Sequence, residues 1–214
     1  MNEKPFSKGE AIRFGWGVTT ANLGFFVGVL AIAGVITAVP NVLQKFTAES
    51  APVQSALFGI AGVVFQVIVG IGLITISLKF VDNARPAVGD LFARLDLFFR
   101  YLGGYVLYSL IVVAGLILLI VPGIMWGLKF CLWGYLVIDR ELGPIKALEK
   151  SSNITNGAKW ELFLFGLLLL GINLLGAVAL LIGLFVTIPT SFVATAYVYR
   201  KLLARAEVTQ AISR

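Results

Sequence analysis

Long, nearly uncharged apolar blocks constrain this chain more than any other feature. A helix rising about 1.5 Å per residue needs roughly 20 apolar residues to cross a hydrocarbon layer about 30 Å thick. Six blocks approach that length: residues 18–39, 53–78, 101–121, 124–138, 162–182 and 184–199. Hydrophobic residues make up 59% of the 214 residues and charged residues only 13%, which excludes a disordered chain and an ordinary soluble domain. The expected fold class is therefore an all-α membrane protein, a single multi-pass domain over residues 1–214. The first block exceeds the apolar core of a cleaved signal peptide and reads as a signal anchor. Pro40 is expected to end it. Pro122-Gly123 and Gly183 read as the turns of two tight hairpins. The fourth and sixth blocks are short for a perpendicular span, which leaves re-entrant or buried helix as their alternative.

The basic residues sort by side. With six spans, Lys4, Lys8, Arg13, Lys79, Arg85 and Arg94 fall on one side, as do Arg100, Arg140, Lys146, Lys150 and Lys159. Arg200, Lys201, Arg205 and Arg214 join them, making 15 of the 17 Lys and Arg, against Lys45 alone opposite and Lys129 inside a span. The positive-inside rule then places both termini in the cytoplasm and the protein in the cytoplasmic membrane. A formal charge of +6 is accounted for by this asymmetry, with attraction to anionic headgroups, and no nucleic-acid partner is expected.

Each pair of spans is preceded by a short amphipathic segment, at about residues 7–16, 88–100 and 144–156. Ser7-Lys-Gly-Glu10 has capping-box spacing, and Pro144 suits a first helical position. In the second segment Leu91, Leu95, Phe98 and Phe99 would share a helical face. Asp90 with Arg94 and Asp96 with Arg100 would form i,i+4 pairs. Three units of interfacial helix plus transmembrane hairpin result, with Trp16, Arg94, Arg100, Lys146, Lys150 and Trp160 as interfacial anchors.

Catalytic signals are sparse. There is no histidine, one cysteine (Cys131) and no carboxylate pair within a span, so neither a metal site of the usual kind nor a cofactor is expected. Among the polar groups inside the spans, Thr187, Thr190, Ser191 and Thr195 give the sixth a stripe that can bond its own backbone, and Lys129, Gln66 and Asn173 stand out. They read as a snorkelling cation and two helix-to-helix hydrogen-bonding amides, or alternatively as the lining of a cavity for lipid or solute. Gly24-x-x-x-Gly28, Gly123-x-x-x-Gly127 and Ala179-x-x-x-Gly183 are candidate close-packing faces.

Ala147-Leu-Glu-Lys-Ser-Ser through Gly157-Ala-Lys-Trp160 follows a hairpin with Ile-Val-Pro122-Gly123-Ile and precedes Pro189 and Tyr197. Over roughly Ser7 to Leu203 the pattern resembles six-helix bacterial membrane proteins, among them the membrane domain attached to some glycerophosphoryl diester phosphodiesterases. The resemblance implies a membrane-domain fold. It carries no active-site residue onto this chain, because catalysis in those proteins resides in a separate soluble barrel. The sequence thus points to a non-enzymatic membrane protein that organises lipid, or a membrane-protein partner or second copy, at the cytoplasmic leaflet. A small transporter or channel using Lys129, Gln66 and Asn173 is the alternative. Lipid enzymology would instead require Asp82, Asp139 and Glu141 to gather at a membrane-level pocket.

Overall fold

The computed structural model describes residues 5–179 and 181–212, and among these every regular element is helical. The elements are α1 (Lys8–Ala21), α2 (Leu23–Thr47), α3 (Pro52–Val81), α4 (Phe98–Leu118), α5 (Ile120–Phe130), α6 (Trp133–Arg140), α7 (Pro144–Ile154), α8 (Lys159–Val178) and α9 (Leu184–Ile212). Five stretches are long and apolar enough to cross a membrane: α2, α3, a stretch ending with α4, the α5–α6 pair and α8. Their outer faces carry large apolar side chains such as Ile117, Leu175 and Val178, left exposed as lipid-facing helices require.

The sixth block is not among the five, and packing gives the reason. α9 is the central helix: Val193, Ala194, Ala196, Val198 and Tyr199 on it are fully buried. A helix surrounded by protein does not need lipid-facing residues. Its Thr190, Ser191 and Thr195 each donate a hydrogen bond to the carbonyl four residues back, which satisfies them without a ligand.

Several expectations change. The segment at 7–16 is no separate interfacial hook. α1 lies antiparallel along α9, with Phe14 against Tyr197 at 5.0 Å and Gly15 over Thr190 and Ala194. A Cβ at Gly15 would stand 2.6 Å from the Thr190 carbonyl oxygen, so glycine permits this crossing. Half of the capping box forms: the Glu10 N–H donates to Ser7 Oγ at 3.4 Å, while the Glu10 carboxylate accepts from Tyr197 Oη instead of reaching back. Pro40 does not end the first span, which continues as α2 to Thr47. Asn41 Nδ2 donates to the Thr37 carbonyl at 2.6 Å beside it, and the loop to α3 shrinks to residues 48–51.

The segment 88–100 is not one amphipathic helix. Two short 3-10 turns, Val88–Leu91 and Leu95–Leu97, precede α4. Asp90 accepts from the Ala87 N–H at 2.7 Å and pairs with Lys79 at 2.6 Å, so the Asp90–Arg94 pair does not form. Arg94 turns to Asp96 and Glu141, and Arg100 donates to the Glu141 carbonyl, so the Asp96–Arg100 pair is also replaced. Leu91 and Leu97 are buried, whereas Phe99 is 82% exposed, so the expected shared face does not exist.

Turns and glycine contacts also differ. The α4–α5 reversal occurs at the extended Leu119, leaving Pro122 within the first turn of α5. Gly123 approaches Gly115 closely, whereas Gly24 and Gly28 face open space and Gly127 makes only ordinary contacts. At the last hairpin Gly183 meets Gly176, and the left-handed residue is Leu181. In the third segment α7 starts at Pro144, as expected, and ends at Ile154, short of the expected 156, with Gly157 at φ +72° after it.

Candidate functional site

Ion pairs bind one end of the helix assembly together. Arg200 on α9 donates to both Asp82 oxygens, at 2.9 and 2.6 Å, and to Asp139 at the end of α6 at 2.8 Å. Tyr199 Oη donates to Asp139 at 2.7 Å, and Arg140 bridges Asp139 and Glu207. Lys8 pairs with Glu161. Asp139 stands just past Ile138, the last apolar residue of its span. Asp90 is held in a similar way, by Lys79 and the Ala87 N–H. Asp82 and Asp139 do converge, as the enzymatic reading requires, but they share one guanidinium. Glu141 is elsewhere, on Arg94 and Arg100.

α7 docks under this end. The fourth span breaks at Cys131 and Leu132, and α7 hydroxyls satisfy the freed backbone groups. The Leu132 N–H donates to Ser151 Oγ at 3.2 Å, while the Lys129 carbonyl accepts from Ser151 at 3.2 Å and Thr155 at 2.9 Å. Both hydroxyl residues are fully buried. Polar residues in an apparently interfacial segment thus serve as the cap of a broken helix.

Between α7 and the far end of α9 runs a groove of two adjoining cavities, about 240 and 310 Å³. Leu202, Leu203 and Ile154 form its buried floor. Lys146, Lys150 and Arg205 line it, and among the described residues none of these three pairs with a carboxylate. Of its two acidic residues, Glu207 is held by Arg140, leaving Glu149. Arg205 lies beyond the apolar block, which stops at Tyr199, so the block pattern does not mark it as a site residue. The signal was present in Leu202, Leu203 and Ala206, spaced to continue one helical face.

The three polar residues inside the spans do not share a set of neighbours. Asn173 Nδ2 donates to the Leu169 carbonyl and to Ser191 Oγ, both at 2.8 Å, joining α8 to α9. Lys129 is partly exposed, with Nζ 5.1 Å from the Phe130 ring centroid. Gln66 lines a cleft with Tyr101, Tyr105 and Phe192. Of the remaining anchors, Trp16 is 49% exposed on α1, and Trp160 is 67% exposed and stacked on Phe163.

Residues 104–206 match the model of a family described as a protein of unknown function (DUF975). The match runs from within α4 to within α9, taking in the broken fourth span, α7 and most of the groove. No curated protein and no solved structure matches the chain. The comparisons supply no link to glycerophosphoryl diester phosphodiesterases.

Proposed function

We propose that this is a six-span protein of the cytoplasmic membrane, with both termini cytoplasmic, that binds anionic phospholipid headgroups in the α7–α9 groove. It acts without catalysing a reaction, organising lipid or a membrane partner at the cytoplasmic leaflet. The observation that carries this reading is the groove itself: three cations that have no carboxylate partner among the described residues, beside an apolar floor, at the end of the molecule where the ion pairs gather. A phosphate would take the cations, and the glycerol and first methylenes would cover Leu202 and Ile154. The non-enzymatic reading is supported by the occupation of Asp82 and Asp139, each committed to Arg200 and so poorly placed as a general acid or base. A solute pathway shared by Lys129, Gln66 and Asn173 lacks such support, since each meets different helices.

The test is lipid retention measured by native mass spectrometry after reconstitution in equal phosphatidylglycerol and phosphatidylcholine. The wild-type protein should retain phosphatidylglycerol preferentially. Combining Lys146→Ala, Lys150→Ala and Arg205→Ala should reduce that preference at least tenfold, since each cation near an anionic surface contributes about 1 kcal/mol. An unchanged preference in the folded triple variant would refute the assignment.

A further inference from the structure

The cleft holding Gln66 has a chemistry that the headgroup groove does not share. It holds about 300 Å³ between α3, α4 and α9. Three of its lining residues carry hydrogen-bonding groups: the Gln66 amide and the Tyr101 and Tyr105 hydroxyls. None of these side-chain groups hydrogen-bonds to another group among the described residues, although most other hydroxyls in the spans bond to backbone. An amide left unpaired in hydrocarbon is unfavourable, so Gln66 favours an occupant that can hydrogen-bond to it. Gly70 opposite makes room for Tyr101: a Cβ there would lie 3.1 Å from the Tyr101 oxygen. Tyr101 is held from behind by Trp133, ring centroids 4.7 Å apart.

No lining residue is charged, so nothing in the cleft would neutralise a headgroup phosphate. Gln66, Tyr105 and Val63 are exposed, so the opening is lateral, toward lipid. We infer that the cleft binds a neutral, membrane-soluble molecule whose carbonyl or hydroxyl oxygens meet Gln66, Tyr101 and Tyr105, and whose apolar body lies on Phe192 and Val67. Two classes carry that chemistry, an acylglycerol and a prenylated quinone. This site is independent of the α7–α9 groove, and either can fail without the other.

The experiment uses the full chain in phosphatidylcholine nanodiscs and two photoreactive probes, a diazirine-bearing monoacylglycerol and a diazirine-bearing short-chain prenyl benzoquinone. Crosslinks are mapped by mass spectrometry with and without the matching unlabelled compound. At least one probe should label residues 63–73 or 101–105 and be displaced by its competitor, the displaced probe identifying the class. Gln66→Leu with Tyr105→Phe should reduce that labelling about tenfold for two lost hydrogen bonds. Tyr105→Phe alone, which removes only an exposed hydroxyl, should give a smaller loss and guards against a folding defect. Labelling no denser than at equally lipid-facing Ile117 and Val178, or unchanged in the double variant, would overturn the inference. So would efficient disulfide formation between two Gln66→Cys chains, because the cleft would then be occupied by a second copy.

Discussion

At the scale of single residues, identical letters in this sequence have unlike roles. Gly72 and Gly24 both lie in apolar helices, yet a Cβ at Gly72 would collide with the Leu91 carbonyl oxygen, while one at Gly24 would meet nothing within 4 Å. The obstacle at Gly72 is backbone, which cannot rotate away. Gly72→Ala should therefore destabilise by several kcal/mol, in the ~1–3 kcal/mol range of overpacking or beyond, and push the 3-10 turn off α3. Gly24→Ala should be neutral or stabilising by up to about 1 kcal/mol, from helix propensity. Thermal unfolding of both variants in one detergent checks the contrast. Equal melting temperatures would show that the Gly72 contact is not maintained. The GxxxG spacing at Gly24 and Gly28 drew attention in the sequence, but spacing does not reveal whether a neighbouring helix is there. The contact at Gly72 depends on Leu91, nineteen residues away, and has no local signature.

At the scale of elements, legibility follows the range of the forces involved. The long apolar spans could be read because each is specified by its own residues meeting lipid. α7 could be read because Gly143-Pro144 starts it and Asn156-Gly157 stops it locally. The segment at 88–100 could not, because Asp90 takes Lys79 from a different element in preference to Arg94 four residues on. The break in the fourth span was equally hidden. Nothing in Phe130-Cys-Leu-Trp133 is a helix breaker, and the interruption is sustained by Ser151 and Thr155 from α7. This makes α7 and the α5–α6 break one cooperative unit. Combining Ser151→Ala with Thr155→Val should leave the Leu132 N–H and Lys129 carbonyl without those partners. The expected loss is about 1–3 kcal/mol of unfolding free energy. Hydrogen–deuterium exchange should show faster exchange at Leu132 and along α7 together. Exchange confined to α7, with Leu132 unaffected, would separate the two elements.

At the scale of the whole molecule, the open issue is the path of α9, whose composition alone does not qualify it as a span. Its neighbours constrain it from end to end. Gly183 and Gly176 meet at its start, Ser191 accepts from Asn173 in its middle, and Arg200 binds Asp82 beyond the last turn of α3. A helix tied to α8 at one end of the bundle and to the charged end of α3 at the other traverses the same height as both. Its hydropathy is low because α1, α3 and α8 surround it. Hydropathy measures contact with lipid and only indirectly measures crossing. The proposed six crossings, with the basic residues gathered on one side, require Ala84 and Ala204 to share the cytoplasmic side and Ser50 to lie outside. Single-cysteine variants Ser50→Cys, Ala84→Cys and Ala204→Cys, made with Cys131→Ser, can be treated in sealed cells with a membrane-impermeant maleimide. All three positions are exposed. Only Ser50→Cys should react before permeabilisation, and all three after it. Labelling of Ala84→Cys and Ala204→Cys from outside, with Ser50→Cys protected, would invert the orientation and move the α7–α9 groove away from the cytoplasmic leaflet. Labelling that divides Ala84→Cys from Ala204→Cys would contradict the Arg200–Asp82 pair and with it the place of α9 at the centre of the bundle.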